Sequence, residues 1–179
     1  MSTYIALLRG INVGGKNLVS MPLLKELLTA LGFTNARTLL NSGNLLFDAA
    51  TKQKIPTLEK HLEAEILNHF KVPADVMLRT APELEQALAN NPFPKEAKLD
   101  PSHLVVMFFK SPLAPASIKS LEQSIKGREK ISAAARELYI TYPDGIGTSK
   151  LTNTAIEKSL ALRGTARNWN TLRKIASLL

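Results

Sequence analysis

The sequence contains no cysteine, which removes disulfides, thiolate metal sites and cysteine nucleophiles from consideration. It has no run of about eighteen apolar residues, the length that a membrane-spanning helix needs. The N-terminus also lacks the basic region, apolar core and small-residue cleavage site of a secretory leader. These absences predict a cytoplasmic protein that spans no membrane.

The histidine and carboxylate patterns of common enzymes are missing as well. His61 and His69 are too far apart to form an i, i+4 pair of metal ligands on their expected helix. His103 begins an expected strand without the context of a catalytic triad, and no two carboxylates share a loop suited to acid–base chemistry. The sequence therefore assigns no catalytic residue, metal or cofactor, and it leaves open whether the protein is an enzyme.

Positive charge is what the sequence has in excess: 23 lysines and arginines against 15 acidic residues, a formal net charge of +8. Such an excess attracts phosphate-bearing partners, including nucleic acid. The cations are scattered and form no dense tract, so an ordinary solvated basic surface is an equal alternative. With 45% apolar residues in a chain of 179, a sizeable core is expected.

Apolar periodicity over residues 1–80 predicts the element order βαββαβ. The expected elements are a strand at 4–8, a helix capped by Ser20 and ended by Gly32, a hairpin of strands 36–40 and 44–47, a helix through 58–70 and a strand at 74–79. This order is typical of the ferredoxin-like fold, also called the alpha-beta plait. Residues 1–80 are accordingly expected to form one ferredoxin-like half.

Residues 81–179 are expected to repeat the pattern in a degenerate form. Thr80 and Glu83 predict a capping box that opens a short helix, and residues near 90–101 predict a connector. The remaining expected elements are a strand at 103–109, a helix at 117–124, a strand pair at 130–132 and 137–142, and helices at 154–162 and 166–178, the last capped by Thr165. The sequence therefore predicts an α+β protein with two ferredoxin-like halves in tandem, the second reading βαββαα.

A glycine-rich segment follows the first strand, from Arg9 to Asn17. Gly10, Gly15 and Lys16 match the spacing of a nucleotide-binding P-loop, but Asn17 stands where that motif places a Ser or Thr for Mg²⁺. The next helix also begins too late for its N-terminus to cradle phosphate. These mismatches argue against a P-loop NTPase and leave an anion site of another kind or a structural glycine turn.

The predicted topology places a second polar segment beside this loop. The first and second strands of a βαββαβ unit run parallel, so the loop after the first strand and the turn after the second lie at the same end of the sheet. The segment 9–17 and the turn containing Asn41, Ser42 and Asn44 should therefore be neighbours. Together they predict a donor-rich polar pocket.

Two further clusters lie in the second half. Ser149 and Lys150 follow a glycine turn and either bind an anion or simply lead into the next helix. Arg167 is expected in the first turn of the last helix, where a cation opposes the helix dipole and should meet a carboxylate or a bound anion. Asn168 accompanies it, and Trp169 is expected in the core.

The motifs RGINVGGKN at 9–17, RTLLNSGN at 37–44, DGIGTSKL at 144–151 and TARNWNT at 165–171 give the chain a strong resemblance to domain-of-unknown-function family 1697. The resemblance covers essentially the whole chain. It implies a small cytosolic protein of bacterial type with two alpha-beta plait halves, and it implies no activity.

The sequence thus predicts one groove that binds an anion or phosphate, with nucleic acid favoured as the partner. A small-molecule or nucleotide-handling enzyme and a protein-interaction module are the alternatives, and the oligomeric state is not assigned. The candidate ligand-binding residues are Arg9, Asn12, Gly14, Gly15, Lys16, Asn17, Asn41, Ser42, Asn44, Ser149, Lys150, Arg167 and Asn168.

Overall fold

The structure, a computed structural model, describes residues 1–50 and 53–179. The chain divides into two compact units: unit 1 is Met1–Gln86 with Leu179, and unit 2 is Ala87–Leu178. The sequence placed the division between residues 80 and 81. No helix in the described part of the chain has the length and apolar character to cross a membrane.

Unit 1 carries the element order expected from the sequence. Its elements are β1 (Ser2–Arg9), α1 (Met21–Ala30), β2 (Thr34–Leu39), β3 (Asn44–Ala49), α2 (Ile55–Phe70), β4 (Asp75–Thr80) and the start of α3 (Ala81–Ala89). The four strands form an antiparallel sheet in the order β2-β3-β1-β4. The central strand β1 therefore pairs on both sides and is fully inside the sheet.

The core of unit 1 follows from the alternation of side chains along β1. Ala6 and Leu8 pack in one cluster with Leu24 of α1 and Leu62 of α2. Ile5, on the opposite face of the strand, is also fully buried. Burying one large apolar side chain stabilises a fold by roughly 1.5–3 kcal/mol, so this strand contributes from both of its faces.

Unit 2 repeats the arrangement. Its elements, after the end of α3, are α4 (Pro94–Leu99), β5 (Leu104–Phe109), α5 (Pro115–Ser124), β6 (Lys130–Ala134), β7 (Glu137–Thr141), α6 (Asn153–Leu160), β8 (Gly164–Asn168) and α7 (Trp169–Ala176). The sheet order is β6-β7-β5-β8, again antiparallel. Met107 and Phe109 of β5 pack with Leu121 of α5 and Ile156 of α6.

The prediction of a helix over 166–178 was wrong at its start. Residues 164–168 form β8, which hydrogen-bonds along β5, and the helix begins only at Trp169. The strand forms because β5 would otherwise leave a row of backbone groups unpaired in a buried place. Unit 2 therefore has the full order βαββαβ before α7. The expected order βαββαα, a degenerate copy of the first half, was wrong.

Three smaller expectations concern helix starts. The capping box is confirmed, since the Thr80 N–H donates to Glu83 Oε2 (2.8 Å) and the Glu83 N–H donates to Thr80 Oγ1 (3.4 Å). Ser20 lies at the start of α1, but its side chain makes no capping hydrogen bond. The expected connector at 90–101 contains α4, which begins at Pro94 because proline is well tolerated in a first helical turn.

Candidate functional site

The glycine loop of unit 1, residues 10–19, contains a tight two-residue turn at its tip. The Lys16 N–H donates to the Val13 carbonyl (3.0 Å), and the two residues form an isolated antiparallel bridge. Gly14 and Gly15 between them have φ of 56° and 74°. Positive φ at both central positions is the requirement of a type I′ turn, which explains two successive glycines. The turn is exposed to solvent.

Two asparagines fix this loop from within. Asn12 Nδ2 donates to the Val19 carbonyl (3.0 Å), and Asn12 Oδ1 accepts the Val19 N–H (2.8 Å). Asn17 Nδ2 donates to the Gly10 carbonyl (2.7 Å), and the Asn12 N–H donates to the Asn17 carbonyl (3.0 Å). Because these groups are used inside the loop, Asn12 and Asn17 hold its shape, and the turn at Gly14 is presented as a rigid tip.

The loop and the turn between β2 and β3 are neighbours, which confirms that expectation. Asn12 Nδ2 also donates to the Asn41 carbonyl (2.9 Å), and the Leu8 N–H donates to the Gly43 carbonyl (2.8 Å). Asn44 is fully buried, and its Nδ2 donates to the Leu39 carbonyl (2.7 Å) and to Ser42 Oγ (3.1 Å). These side chains build the junction of the two segments.

The cation at the end of β1 and the cation of the glycine loop have different surroundings. Arg9 Nη1 lies 3.5 Å from Asp75 Oδ2 on the neighbouring strand, so its charge is partly balanced. Lys16 is exposed, and among the described residues its ammonium group has no hydrogen-bond or ion-pair partner. Val13 and Leu18 on either side of it are 68% and 70% exposed. The loop therefore presents an open positive charge flanked by apolar side chains.

In unit 2, Ser149 and Lys150 line a groove of about 500 Å³. Lys126 and Glu129, which precede β6, also line it. The pairing of Lys130 with Thr141 at the start of β6 and the end of β7 brings the two segments to the same end of the sheet. Sequence patterns gave no signal for Lys126 or Glu129, because only this strand pairing places them beside the loop after β7.

The carboxylates of the groove are already engaged. Ser149 Oγ donates to Glu129 Oε1, and Arg128 Nε donates to Asp144 Oδ2 (2.9 Å). The hydrogen bond from Arg128 holds the pKa of Asp144 below its ordinary value. Burial, together with the negative charge of Glu129, raises the pKa of Tyr142 to about 12.

The remaining two candidates have structural surroundings. Arg167 lies on β8 rather than in a helical turn, is 7% exposed, and donates from Nη1 to Thr165 Oγ1 and the Ala166 carbonyl (both 2.8 Å). Burial lowers its pKa to about 10. Asn168 caps α7, since its Oδ1 accepts the Thr171 N–H (2.9 Å). The expected N-cap, Thr165, is instead a strand residue.

The structure thus gathers the candidates of residues 9–44 at one end of the unit 1 sheet, and it places Ser149 and Lys150 in a groove of unit 2. The single groove expected from the sequence stays a prediction. Within the described residues, no group of three or more histidine, aspartate or glutamate side chains is arranged to hold a metal ion.

Comparisons with known proteins support the architecture. The conserved bacterial protein SP0830 from Streptococcus pneumoniae has a similar fold, with a TM-score of 0.78 and 24% identity over 99% of this chain and 98% of that chain. No curated protein matches the sequence. The model of one family, described as a protein of unknown function (DUF1697), matches residues 1–139, a stretch that includes the glycine loop and ends before the loop after β7. This match covers most of both sheets, and the chain belongs to the DUF1697 family.

Proposed function

We propose that the protein is cytoplasmic and binds nucleic acid, with the glycine loop of unit 1 as a contact to the phosphate backbone. The observation that carries this proposal is the exposed turn at Gly14 and Gly15, which Asn12 and Asn17 hold rigid. Lys16 follows this turn, and its ammonium group has no partner within residues 1–50 and 53–179. We also propose that both units are ferredoxin-like, because each has the antiparallel order last-first-third-second.

The physical support for a phosphate contact comes from the backbone and the charge together. Gly14 and Gly15 carry no Cβ, so the main-chain amides can approach a phosphate oxygen closely. Lys16 supplies a positive charge at the same tip, and a net charge of +8 attracts a polyanion from a distance. The loop is already ordered by its internal hydrogen bonds, so binding costs little additional conformational entropy.

The test is the binding of labelled single-stranded RNA and duplex DNA, followed by fluorescence anisotropy at about 50 and about 200 mM salt. Lys16→Ala should weaken binding to all sequences alike and lower the salt slope by about 1. Lys60→Ala is the matched control, because Lys60 is an exposed lysine of α2 in the same unit. Equal effects of the two substitutions, or no binding at the lower salt concentration, would overturn the proposal.

A second candidate is favoured by one specific observation, the exposure of Val13 and Leu18 beside Lys16. Apolar side chains at a rigid tip are also typical of protein contacts. Under this alternative the protein is an interaction module, and Val13→Ser with Leu18→Ser should abolish association with a protein partner or with itself. Sedimentation velocity of the purified protein and of this double variant tests self-association directly.

A further inference from the structure

We propose that the groove of unit 2 binds a small anionic molecule that carries an apolar portion, such as a phosphorylated or carboxylated compound with a ring or an alkyl chain. This site is separate from the nucleic-acid contact proposed for unit 1 and does not depend on it. Its size supports a small ligand, since about 500 Å³ lies within the usual range of small-molecule pockets.

The apolar part of the groove comes from both of its neighbouring helices. Leu121 lies in α5, and Ile125 is the residue that follows this helix. Ala155 lies in the first turn of α6, and Leu151 lies in the segment before that helix. Leu121 and Leu151 are buried, so they form a fixed surface rather than mobile side chains. The more exposed Ile125 and Ala155 lie beside this surface, and an apolar ring or chain that covers them is removed from water, which is favourable in proportion to the apolar area covered.

The charged groups of the groove leave it with a net positive charge, since two lysines stand against one carboxylate that has no ion pair among the described residues. Asp144 is paired with Arg128, whereas Glu129 accepts the hydrogen bond of the neutral Ser149 and keeps its negative charge. Lys126 and Lys150 also line the groove, and among the described residues neither ammonium group has a hydrogen-bond or ion-pair partner. An anionic group on the ligand can therefore be neutralised by lysines without breaking an existing ion pair.

The hydroxyl groups of the groove narrow the ligand class further. Ser124 Oγ donates to the Leu121 carbonyl (2.7 Å), and Thr148 Oγ1 donates to the Asp144 carbonyl (2.7 Å). Ser149 Oγ donates to Glu129 and accepts the Leu151 N–H (3.0 Å). Since these hydroxyls donate within the protein, they can offer a bound ligand an acceptor oxygen but no proton. Recognition then rests on charge and apolar contact.

The probe for this proposal is 8-anilinonaphthalene-1-sulfonate, a fluorescent molecule with two apolar ring systems and one negative charge. It should bind the native protein with one-to-one stoichiometry and shift the backbone amide NMR signals of the groove residues. Lys126→Gln with Lys150→Gln should weaken binding by about tenfold, because an exposed charge contact is worth roughly threefold in affinity and the two combine. Lys119→Gln with Lys158→Gln, exposed lysines of α5 and α6 outside the groove, is the matched control.

Two further measurements make the outcome decisive. Ala155→Phe places a ring in the groove at an exposed position of α6 and should abolish binding while the fold is retained by circular dichroism. The uncharged analogue N-phenyl-1-naphthylamine should bind more weakly than the sulfonate and should not respond to the lysine substitutions. Equal losses in the groove and control variants, amide shifts outside the groove, or equal affinity for the neutral analogue would each overturn the proposal.

Discussion

Units 1 and 2 each have a sheet with the same strand order, and one buried arginine occupies the equivalent position in both. Arg79 on β4 pairs with Ile5 of the central strand β1, and Arg167 on β8 pairs with Val106 of the central strand β5. Each arginine donates from Nη1 to the carbonyl of the residue before it. In each unit the residue after the arginine caps the following helix. The framework is therefore repeated in detail.

The long loops are not repeated. In unit 1 the long connection is 10–20, which follows the central strand β1, whereas the corresponding connection in unit 2, 110–114, is short. In unit 2 the long connection is 142–152, which follows β7, the antiparallel neighbour of the central strand. The glycine loop and the groove thus arise at opposite ends of equivalent sheets. The comparison teaches that one framework supports two different sites, each of which can be altered separately.

The largest expected effect on the free energy of unfolding comes from adding a Cβ at Gly43 in unit 1, where the backbone packs closely against its neighbours. An added Cβ would lie 2.7 Å from Ile11 Cδ1 and 2.8 Å from Leu8 Cβ, and φ is +79°. Backbone strain and overpacking each cost about 1–3 kcal/mol, so Gly43→Ala should lower the free energy of unfolding by about 3 kcal/mol or more. In unit 2, Gly164→Ala meets Phe109 at 2.7 Å without the positive φ and should cost less. Urea unfolding measures both changes.

Gly14→Ala completes this series, because φ is +56° and nothing lies within 4 Å of the added atom. It isolates the strain contribution and should cost about 1–2 kcal/mol. If Gly164→Ala proved as costly as Gly43→Ala, the junction between the glycine loop and the turn would have no special constraint, and the contrast between the units would be weaker.

The sequence predicted the neighbourhood of Asn12 and Asn41 because element order alone determines which loops share a sheet end. It missed β8 for a different reason. The residues Thr165 and Arg167 have no apolar alternation, and the strand is stabilised by the unpaired edge of β5, which no local pattern reveals. The sequence did offer one indication of β8, since Arg167-Asn168 corresponds to Arg79-Thr80 at the end of β4. Two residues are too few to identify a repeat when the pairing register of the strands is not known.

Candidate site residues were predictable where a motif and a topology agreed, as at Gly14 and Gly15. They were not predictable in the groove, where Lys126 and Glu129 come from a segment without periodicity and reach Ser149 only through the pairing of β6 with β7. The expected location of Arg167 in a helical turn was wrong, because the residue lies on β8. Tertiary pairing, which the sequence does not display, decides both cases.

The second prediction concerns alkaline pH, where unit 2 should lose folding stability before unit 1 does. Burial raises the pKa of Tyr139 and of Tyr142 to about 12, with smaller contributions from Glu137 and Glu129. The folded state therefore keeps these protons longer than the unfolded chain does. The contribution of these protonated tyrosines to the free energy of unfolding is complete below about pH 10 and is lost as pH rises from about 10 to about 12. By about pH 11 the loss is about 1.4 kcal/mol for each tyrosine.

Tyr142→Phe should remove about half of this alkaline loss, at the cost near neutral pH of the hydrogen bond to the Leu151 carbonyl, about 1 kcal/mol. Urea unfolding between about pH 8 and about pH 11 gives both numbers. A pH dependence that is identical in the wild type and in the variant would show that Tyr142 does not carry the effect.

The third prediction tests the equivalence of the two helix caps. Asn168→Ala removes the acceptor for the Thr171 N–H at 2.9 Å and should cost about 1 kcal/mol. Thr80→Ala removes a longer contact, 3.4 Å from the Glu83 N–H, and should cost less, because Glu83 Oε2 still accepts the N–H of residue 80. Thermal unfolding of both variants and of the Glu83→Ala variant measures this order. A larger loss at residue 80 than at residue 168 would contradict it.

The smallest expected effect compares two aspartates whose pKa values are lowered by different means. In unit 1, Asp48 accepts hydrogen bonds from Thr3 Oγ1 (2.6 Å) and then from Asn35 Nδ2 (2.7 Å), both neutral donors, and these lower its pKa. In unit 2, the pKa of Asp144 is lowered by the hydrogen bond from the charged Arg128. A lowered folded-state pKa gives stability that is present above about pH 4 and is lost as pH falls through the folded value.

Salt separates the two mechanisms, because exposed ion pairs are screened while a neutral hydrogen bond is affected far less. In carboxyl NMR titrations, high salt should raise the pKa of Asp144 towards 3.8 and leave that of Asp48 nearly unchanged. Thr3→Val should raise only the pKa of Asp48, and Arg128→Gln should raise only that of Asp144. The same salt response at both positions would mean that Asp48 also depends on a charged neighbour, and Arg37, a weaker contributor to its lowered pKa, would then be the residue to substitute.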